Sequence, residues 1–150
     1  MATVEMSFTP LPAHVRTARL VATAVARRSG VDEALLDEVR LAVGEACSRA
    51  VEAHQEHCPA EPVRVALTGT DGRFEVVVTD TAVQHNGAAD AAVTGGGANG
   101  GSETPGGEPK AVPAELGLAV IEGLADDVEI ARTKAGLSIR MSWPSANAAS

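Results

Sequence analysis

Aromatic residues are almost missing from this chain of 150 residues, which has no tyrosine and only Phe8, Phe74 and Trp143. So few rings leave little surface on which nucleic acid bases could stack. Basic residues are also scarce, since 12 lysines and arginines stand against 20 acidic residues for a net charge of −8. A protein with this net negative charge repels the phosphate backbone of a nucleic acid. The composition argues against nucleic acid as a partner and predicts a core built from Ala, Val, Leu and Ile.

Cysteines and long apolar runs are equally scarce. Cys47 and Cys58 are too few for a disulfide framework and are consistent with a reducing compartment. No apolar run is long enough to span a bilayer, and the N-terminus lacks the charged and apolar regions of a signal peptide. We therefore expect a cytoplasmic protein with no membrane contact.

Apolar periodicity predicts two helices in the first half of the chain. Residues 1–9 form an N-terminal edge strand, and residues 13–28 repeat apolar positions at the spacing of an amphipathic helix. Asp32 is placed to cap the N-terminus of a second helix that reaches about residue 57. The alternation in residues 62–79, with an Asp-Gly turn in the middle, predicts a β-hairpin.

A stretch rich in Gly, Ala, Ser and Thr, residues 82–113, separates that hairpin from the rest. It is too long for an ordinary connection and predicts either a mobile lid or a disordered insertion. A helix over 114–125 and a second hairpin over 127–143 follow, and residues 144–150 are predicted to be a disordered tail. The order predicts one α+β (α/β) domain over 10–143, a two-layer sandwich with helices on one face of a mostly antiparallel sheet.

The second helix carries an acid and an arginine whose roles are open. Glu45 and Arg49 stand at i and i+4, so they share a face and favour an ion pair. One interpretation is a solvated face with a weak surface pair. The other is a functional site, which requires support from neighbouring elements.

Two further segments offer such support. Asp80 ends an apolar strand, where its carboxylate either caps a turn or accepts a hydrogen bond from a ligand. "ELGL", residues 115–118, opens a helix whose N-terminal N–H groups could receive phosphate oxygens, or its glycine serves close packing. No lysine follows in the pattern of a P-loop.

Three segments together resemble the GHKL (Bergerat-fold) ATPases, and among them the RsbW/SpoIIAB-type anti-sigma factor serine kinases. "DEVRLAVGEACSRAVEAH" is similar to that family's Asn-box helix, "VVVTDTA" to its Asp-Gly box, and "ELGLAVIEGLADDVEI" to its Gly-Leu-Gly-Leu helix and next strand. The resemblance implies a Bergerat fold that binds ATP or ADP with Mg²⁺. It also implies that Glu45 corresponds to the catalytic base, that Asp80 holds the adenine, and that Gly117 and Leu118 lie at the phosphates.

The sequence departs from the family pattern at several of these positions. Arg49 stands where the family has the asparagine that binds Mg²⁺, and an arginine has no acceptor with which to ligate a cation. Ala82 and Gln84 replace glycines of the Asp-Gly box, and Glu115 replaces the first glycine of the later box. We expect Arg49 to hold Glu45 ionised with a lowered pKa, which makes it a weak base. Arg49 could instead contact a phosphate and permit binding of nucleotide without Mg²⁺.

These features leave three functional hypotheses. The favoured one is an anti-sigma-like regulator that has lost efficient kinase activity and binds a sigma factor or a STAS-type anti-anti-sigma factor by partner switching. The second is an active serine kinase that phosphorylates a STAS antagonist, and the third is a small α/β binding module unrelated to sigma regulation. The resemblance also implies a homodimer, and it makes Arg16 and Arg19 of the first helix candidates for partner contact.

A cluster near the end of the second helix, "HQEHC", raises the alternative of a metal site. His54, His57 and Cys58, together with Cys47, match no closed zinc pattern. Histidines at a helix C-terminus also complement the helix dipole. We therefore expect no resident metal ion.

Overall fold

The computed structural model describes residues 2–70, 72–82, 114–134 and 136–145. The strands in this part of the chain are β1 (Ala2–Phe8), β2 (Val63–Thr70), β3 (Arg73–Asp80), β4 (Asp127–Thr133) and β5 (Gly136–Pro144). The helices are α1 (Pro12–Arg28), α2 (Glu33–His57) and α3 (Ala114–Leu124). Their order along the chain is the predicted one.

Local sequence explains where the first two helices begin and end. Pro12 occupies the first turn of α1, where its missing N–H costs nothing. The chain leaves α1 through Gly30, whose φ of 93° is accessible to glycine without strain. Asp32 then caps α2, because its side chain accepts a hydrogen bond from the N–H of Ala34 at 2.9 Å.

The five strands form one antiparallel sheet in the order β1-β2-β3-β5-β4. Alternate residues of β2 and β3 are buried, so one face of the sheet is apolar and the other is polar. The three helices pack on the apolar face, with α1 nearest β2 and α3 nearest β4. This arrangement confirms the predicted α+β sandwich with a Bergerat-like fold.

Small residues dominate the core, as the composition predicts. Ala18, Ala22 and Ala26 of α1 are buried, which lets α1 lie close against the equally alanine-rich α2. The two large rings, Phe74 and Trp143, are paired in register with centroids 6.3 Å apart. Trp143 also donates from Nε1 to the carbonyl of Leu124 at 3.1 Å, which ties the end of α3 to the sheet.

The structure describes parts of two predicted segments, the tail and the lid. Of the predicted tail over 144–150, the structure describes only the first two residues: Pro144 ends β5, and Ser145 is buried, with its N–H donating to the carbonyl of Gly72 at 2.9 Å. The predicted lid lies outside the described residues except for Ala82. In the described ranges, no helix has the length and apolar character needed to cross a membrane.

Candidate functional site

Helix α2 is the central helix of the layer and packs against both α1 and α3. Because successive residues of a helix turn by about 100°, its two flanks carry different side chains. Ser48, Val51 and Gln55 line a groove of about 330 Å³ with Arg16 and Arg19 of α1. Glu45 and Arg49 lie on the other flank, toward the end of β3.

Glu45 and Arg49 do not form the predicted ion pair. Within the described residues, no carboxylate oxygen lies within 4.0 Å of the Arg49 guanidinium. The Nε of Arg49 is buried and has no hydrogen-bond partner in this part of the chain. The interpretation as a solvated surface pair is therefore wrong.

The predicted direction of the Glu45 pKa is also wrong. Burial raises the pKa of Glu45, and this effect outweighs the opposing attraction of Arg49. The spacing in the sequence shows that the two side chains share a helix face. It does not show how deeply the neighbouring helices and strands bury them. A raised pKa moves Glu45 toward the range in which a carboxylate can act as a general base.

Asp80 lies at the end of β3 with 6% of its surface exposed, on the side of the sheet covered by the helices. Its Oδ1 accepts a hydrogen bond from the N–H of Ala82 at 3.2 Å, which is the local turn contact that the sequence allowed. Burial raises the pKa of Asp80, while backbone N–H groups and the nearby charge of Arg49 lower it. A buried carboxylate with a raised pKa is a candidate for function.

His54 connects α2 to the segment that follows Asp80. The ring is fully buried, with Nδ1 2.9 Å from the carbonyl of Glu61 and Nε2 accepting from the N–H of Thr81 at 3.0 Å. Since a carbonyl accepts and an N–H donates, these partners fix the neutral tautomer with its proton on Nδ1. His54 thus holds the backbone beside Asp80 and is not a free metal ligand.

Cys47, the further cysteine considered with the HQEHC cluster, is buried in the core. Burial raises the pKa of the Cys47 thiol to about 12, which opposes the thiolate that a metal requires. Across the described ranges, no group of three or more His, Cys, Asp or Glu side chains is placed to hold a metal ion.

Arg132 completes the surroundings of Arg49. Strand pairing places Asp80 opposite Leu137 and Leu137 opposite Arg132, so the three residues form one row across β3, β5 and β4. Neighbouring strands are about 4.8 Å apart, which puts Asp80 and Arg132 about 10 Å apart along this row. Burial lowers the pKa of Arg49, the charge of Asp80 opposes that shift, and the nearby charge of Arg132 adds to it.

A family model of the histidine kinase-like ATPase domain matches residues 8–143, nearly the whole chain. The chain belongs to this family. Among solved structures, the RsbU and RsbW domains of Rv1364c from Mycobacterium tuberculosis are similar in fold, with a TM-score of 0.63 at 16% identity. The similarity covers 95% of this chain and 32% of that one, so the chain spans about a third of its length. The curated proteins include no match to this chain.

Within this ATPase domain, the structure brings together four of the predicted site residues. Glu45, Arg49 and Asp80 lie close enough for their charges to interact, and Ala82 is bonded to Asp80. Gly117 is buried and Leu118 half-buried in α3, which packs against α2. Gln84 and the side chain of Glu115 lie outside the described residues.

The two candidate partner residues lie on the opposite flank of α2 from this site. Arg16 is exposed, whereas Arg19 is half-buried. The Cδ of Arg19 lies 2.7 Å from where a Cβ on Gly44 would stand, so its side chain crosses that glycine. Arg16 is therefore the better placed of the two for contact with another protein.

Replacing Asp80 with asparagine should stabilise the domain at neutral pH. The folded-state pKa of Asp80 lies above its ordinary value of 3.8, so the folded state is favoured below that value and loses this advantage as pH rises through the raised pKa. Asparagine keeps an oxygen for the Ala82 N–H and is never ionised. We expect Asp80→Asn to raise the urea midpoint at pH 7 and to leave it unchanged near about pH 3.

Asp37→Asn serves as the control for that measurement. Asp37 is exposed and bonded to Arg40, so its replacement should change stability by no more than about 0.5 kcal/mol. A lower midpoint for Asp80→Asn at pH 7 would contradict the inferred cost of the buried charge.

Sequence reasoning missed Arg132 and considered His54 only as a metal ligand. His54 continues the buried stripe of α2 at the spacing set by Cys47 and Ala50, which is a signal that could have identified it as buried. Arg132 had no such signal, because its position depends on the pairing of three strands.

Proposed function

We propose that this ATPase domain is an anti-sigma-like regulator that binds a sigma factor or a STAS-type anti-anti-sigma factor, with little or no kinase activity. The observation that carries the proposal is the position of Arg49. It occupies the place of the expected Mg²⁺-binding asparagine, and it lies among Glu45, Asp80 and Arg132. Regulation would then occur by exchange of partners.

The donor set at Arg49 does not fit Mg²⁺. A guanidinium offers five N–H donors, no acceptor and a permanent positive charge, so it repels the ion that an asparagine oxygen would bind. Phosphoryl transfer relies on metal ions to position the phosphates and neutralise their charge. Loss of that ligand supports a domain that has kept its fold as a binding module.

The RsbW domain in the similar structure supports the choice of partner class, together with the motif resemblance. Arg16, exposed on α1, is our candidate for contact with such a partner. A homodimer and a cytoplasmic location remain predictions from the sequence.

One observation favours an active serine kinase as the second candidate. Burial raises the pKa of Glu45, so this carboxylate is a better base than the sequence suggested. An active enzyme would need a source of phosphate neutralisation other than the asparagine-bound Mg²⁺.

Phosphate transfer to a STAS protein separates the two candidates. The purified protein is incubated with labelled ATP, Mg²⁺ and candidate STAS proteins, and complex formation is followed in parallel by size-exclusion chromatography. We expect a stable complex with no labelled serine, and no gain of stable complex on adding ATP. Labelling by the native protein that is lost in both Glu45→Gln and Arg49→Asn would establish the kinase instead, and capture of neither partner class would contradict the proposal.

A further inference from the structure

His54 lies where the pairing of β2 with β3 ends. The last pair of that ladder is Arg64 opposite Thr79, so strand pairing does not hold the chain before Arg64 to the chain after Thr79. The buried His54 ring contacts both segments. Its Nδ1 lies 2.9 Å from the carbonyl oxygen of Glu61, and its Nε2 lies 3.0 Å from the backbone nitrogen of Thr81. One side chain of α2 therefore joins the segment that enters β2 to the segment that leaves β3.

These two contacts require one protonation state of the His54 ring. The Glu61 carbonyl needs a donor and the Thr81 N–H needs an acceptor, which only the neutral ring with its proton on Nδ1 supplies. A second proton would bind at Nε2 and turn that acceptor into a donor, so that two N–H groups would face each other. Histidine is the side chain whose charge ordinarily changes between about pH 5 and pH 8.

Several titratable or charged groups surround His54 in the part of the chain that the structure describes. Asp80, at the end of β3, is close enough for its charge to interact with a charged His54, and Arg49 of α2 acts on the same carboxylate. Cys58, after the last turn of α2, contacts the side chain of Thr81, and Glu61 precedes β2. A charged His54 would therefore be attracted to Asp80.

Asp80 thus offers a charged ring a partner in place of Thr81. Its Oδ1 accepts from the N–H of Ala82 at 3.2 Å, and that contact closes the turn after β3. An imidazolium N–H directed at Asp80 would compete with the Ala82 N–H for the carboxylate. Both hydrogen bonds that fix the segment after Asp80 therefore depend on a neutral His54.

We propose that His54 is a pH-sensitive switch, in which a proton taken up from solvent at Nε2 releases Thr81 and Ala82 from the end of β3. The Nδ1 proton stays on the Glu61 carbonyl, so the entry to β2 keeps its contact. The switch goes beyond the proposed function, since it needs neither nucleotide nor partner. It is a local opening of two residues and leaves the paired part of the sheet closed.

Amide hydrogen exchange of Thr81, followed by NMR, tests the switch. Because opening takes up one proton, the open fraction should rise by up to about tenfold per pH unit while histidine titrates. We expect the Thr81 protection factor, corrected for the intrinsic exchange rate, to fall by about tenfold or more from pH 7 to pH 5. The amide of Val76, which lies between Leu67 and Met141 in the sheet, should stay better protected throughout.

His54→Gln and His57→Gln are the matched variants. The glutamine oxygen at position 54 can accept from Thr81 at any pH, so its Thr81 protection should change by less than about twofold over that range. His57→Gln removes the other histidine near the end of α2 and should keep the native pH dependence. An equal fall in His54→Gln, native Thr81 protection that does not change with pH, or an equal fall at Val76 would overturn the inference.

Nitrogen-15 chemical shifts of the His54 ring test the native protein without any substitution. At pH 7 we expect the proton on Nδ1 alone, and a second proton should appear over the same pH interval as the loss of Thr81 protection. A proton on Nε2 at pH 7, or a second proton bound while Thr81 stays protected, would contradict the switch.

Failure of the switch is distinguishable from failure of the proposed function. Exchange and ring shifts are measured without ATP, sigma factor or STAS protein, so a negative result there contradicts only the role of His54. Failure to capture either partner class at constant pH contradicts only the regulatory role.

Discussion

Gly136→Ala should be among the most destabilising single substitutions in this protein, lowering the free energy of unfolding by about 4 kcal/mol. Gly136 opens β5 with a φ of 137°, a conformation that other residues rarely adopt. A Cβ there would stand 1.9 Å from the carbonyl oxygen of Asp80 and 2.9 Å from the Cα of Thr81. Both contacts are with backbone, so no side-chain rotation can relieve them.

The same substitution should also disturb the site, because the backbone it displaces belongs to Asp80. Chemical denaturation measures the stability loss. Gly72→Ala is the control, since Gly72 has a φ of 78° but no atom within 4 Å of an added Cβ. It should cost only about 1 to 2 kcal/mol, and equal losses for the two variants would contradict the predicted clash.

His54→Ala should lower the free energy of unfolding by about 3 to 5 kcal/mol. The substitution leaves a cavity in a fully buried position and removes the partners of the Glu61 carbonyl and the Thr81 N–H. Each orphaned buried group costs about 1 to 3 kcal/mol. Equilibrium denaturation in urea gives the value directly.

His54→Gln tests how much stability depends on the hydrogen bond from the Thr81 N–H to His54. The glutamine oxygen can accept from Thr81 N–H in place of Nε2, so part of the stability should return. His57→Gln, near the exposed end of α2, should change stability by no more than about 0.5 kcal/mol. A His54→Ala variant as stable as His57→Gln would show that the two hydrogen bonds do not hold the segment after Asp80.

Most of the fold could be predicted because its signals are local. The apolar spacing of α1 and α2, the Asp32 cap and the Asp-Gly turn between β2 and β3 each depend on residues close in the sequence. Helix and strand boundaries accordingly agree with the predictions within about three residues. A contact such as that of Ser145 with Gly72 has no local signal, because the two residues are far apart in the chain.

The candidate site was predicted only in outline. Spacing on α2 and the strand end identified Glu45, Arg49 and Asp80, and the motif resemblance gave them roles. Their electrostatics were misjudged, since the Glu45 pKa is set by burial against neighbouring elements more than by Arg49. A helix wheel contains no information on that burial.

The sequence by itself determined the two-layer fold and the family, and its resemblance to the family's motifs predicts an asparagine at the position of Arg49. Only the tertiary structure decided that Arg49 forms no ion pair with any described carboxylate and that His54 holds the segment after Asp80. It alone also brought the charge of Arg132 close to Arg49. The reason is that periodicity and caps act over one or two turns of chain. Strand pairing and desolvation depend on residues more distant in the sequence, such as Asp80, Leu137 and Arg132.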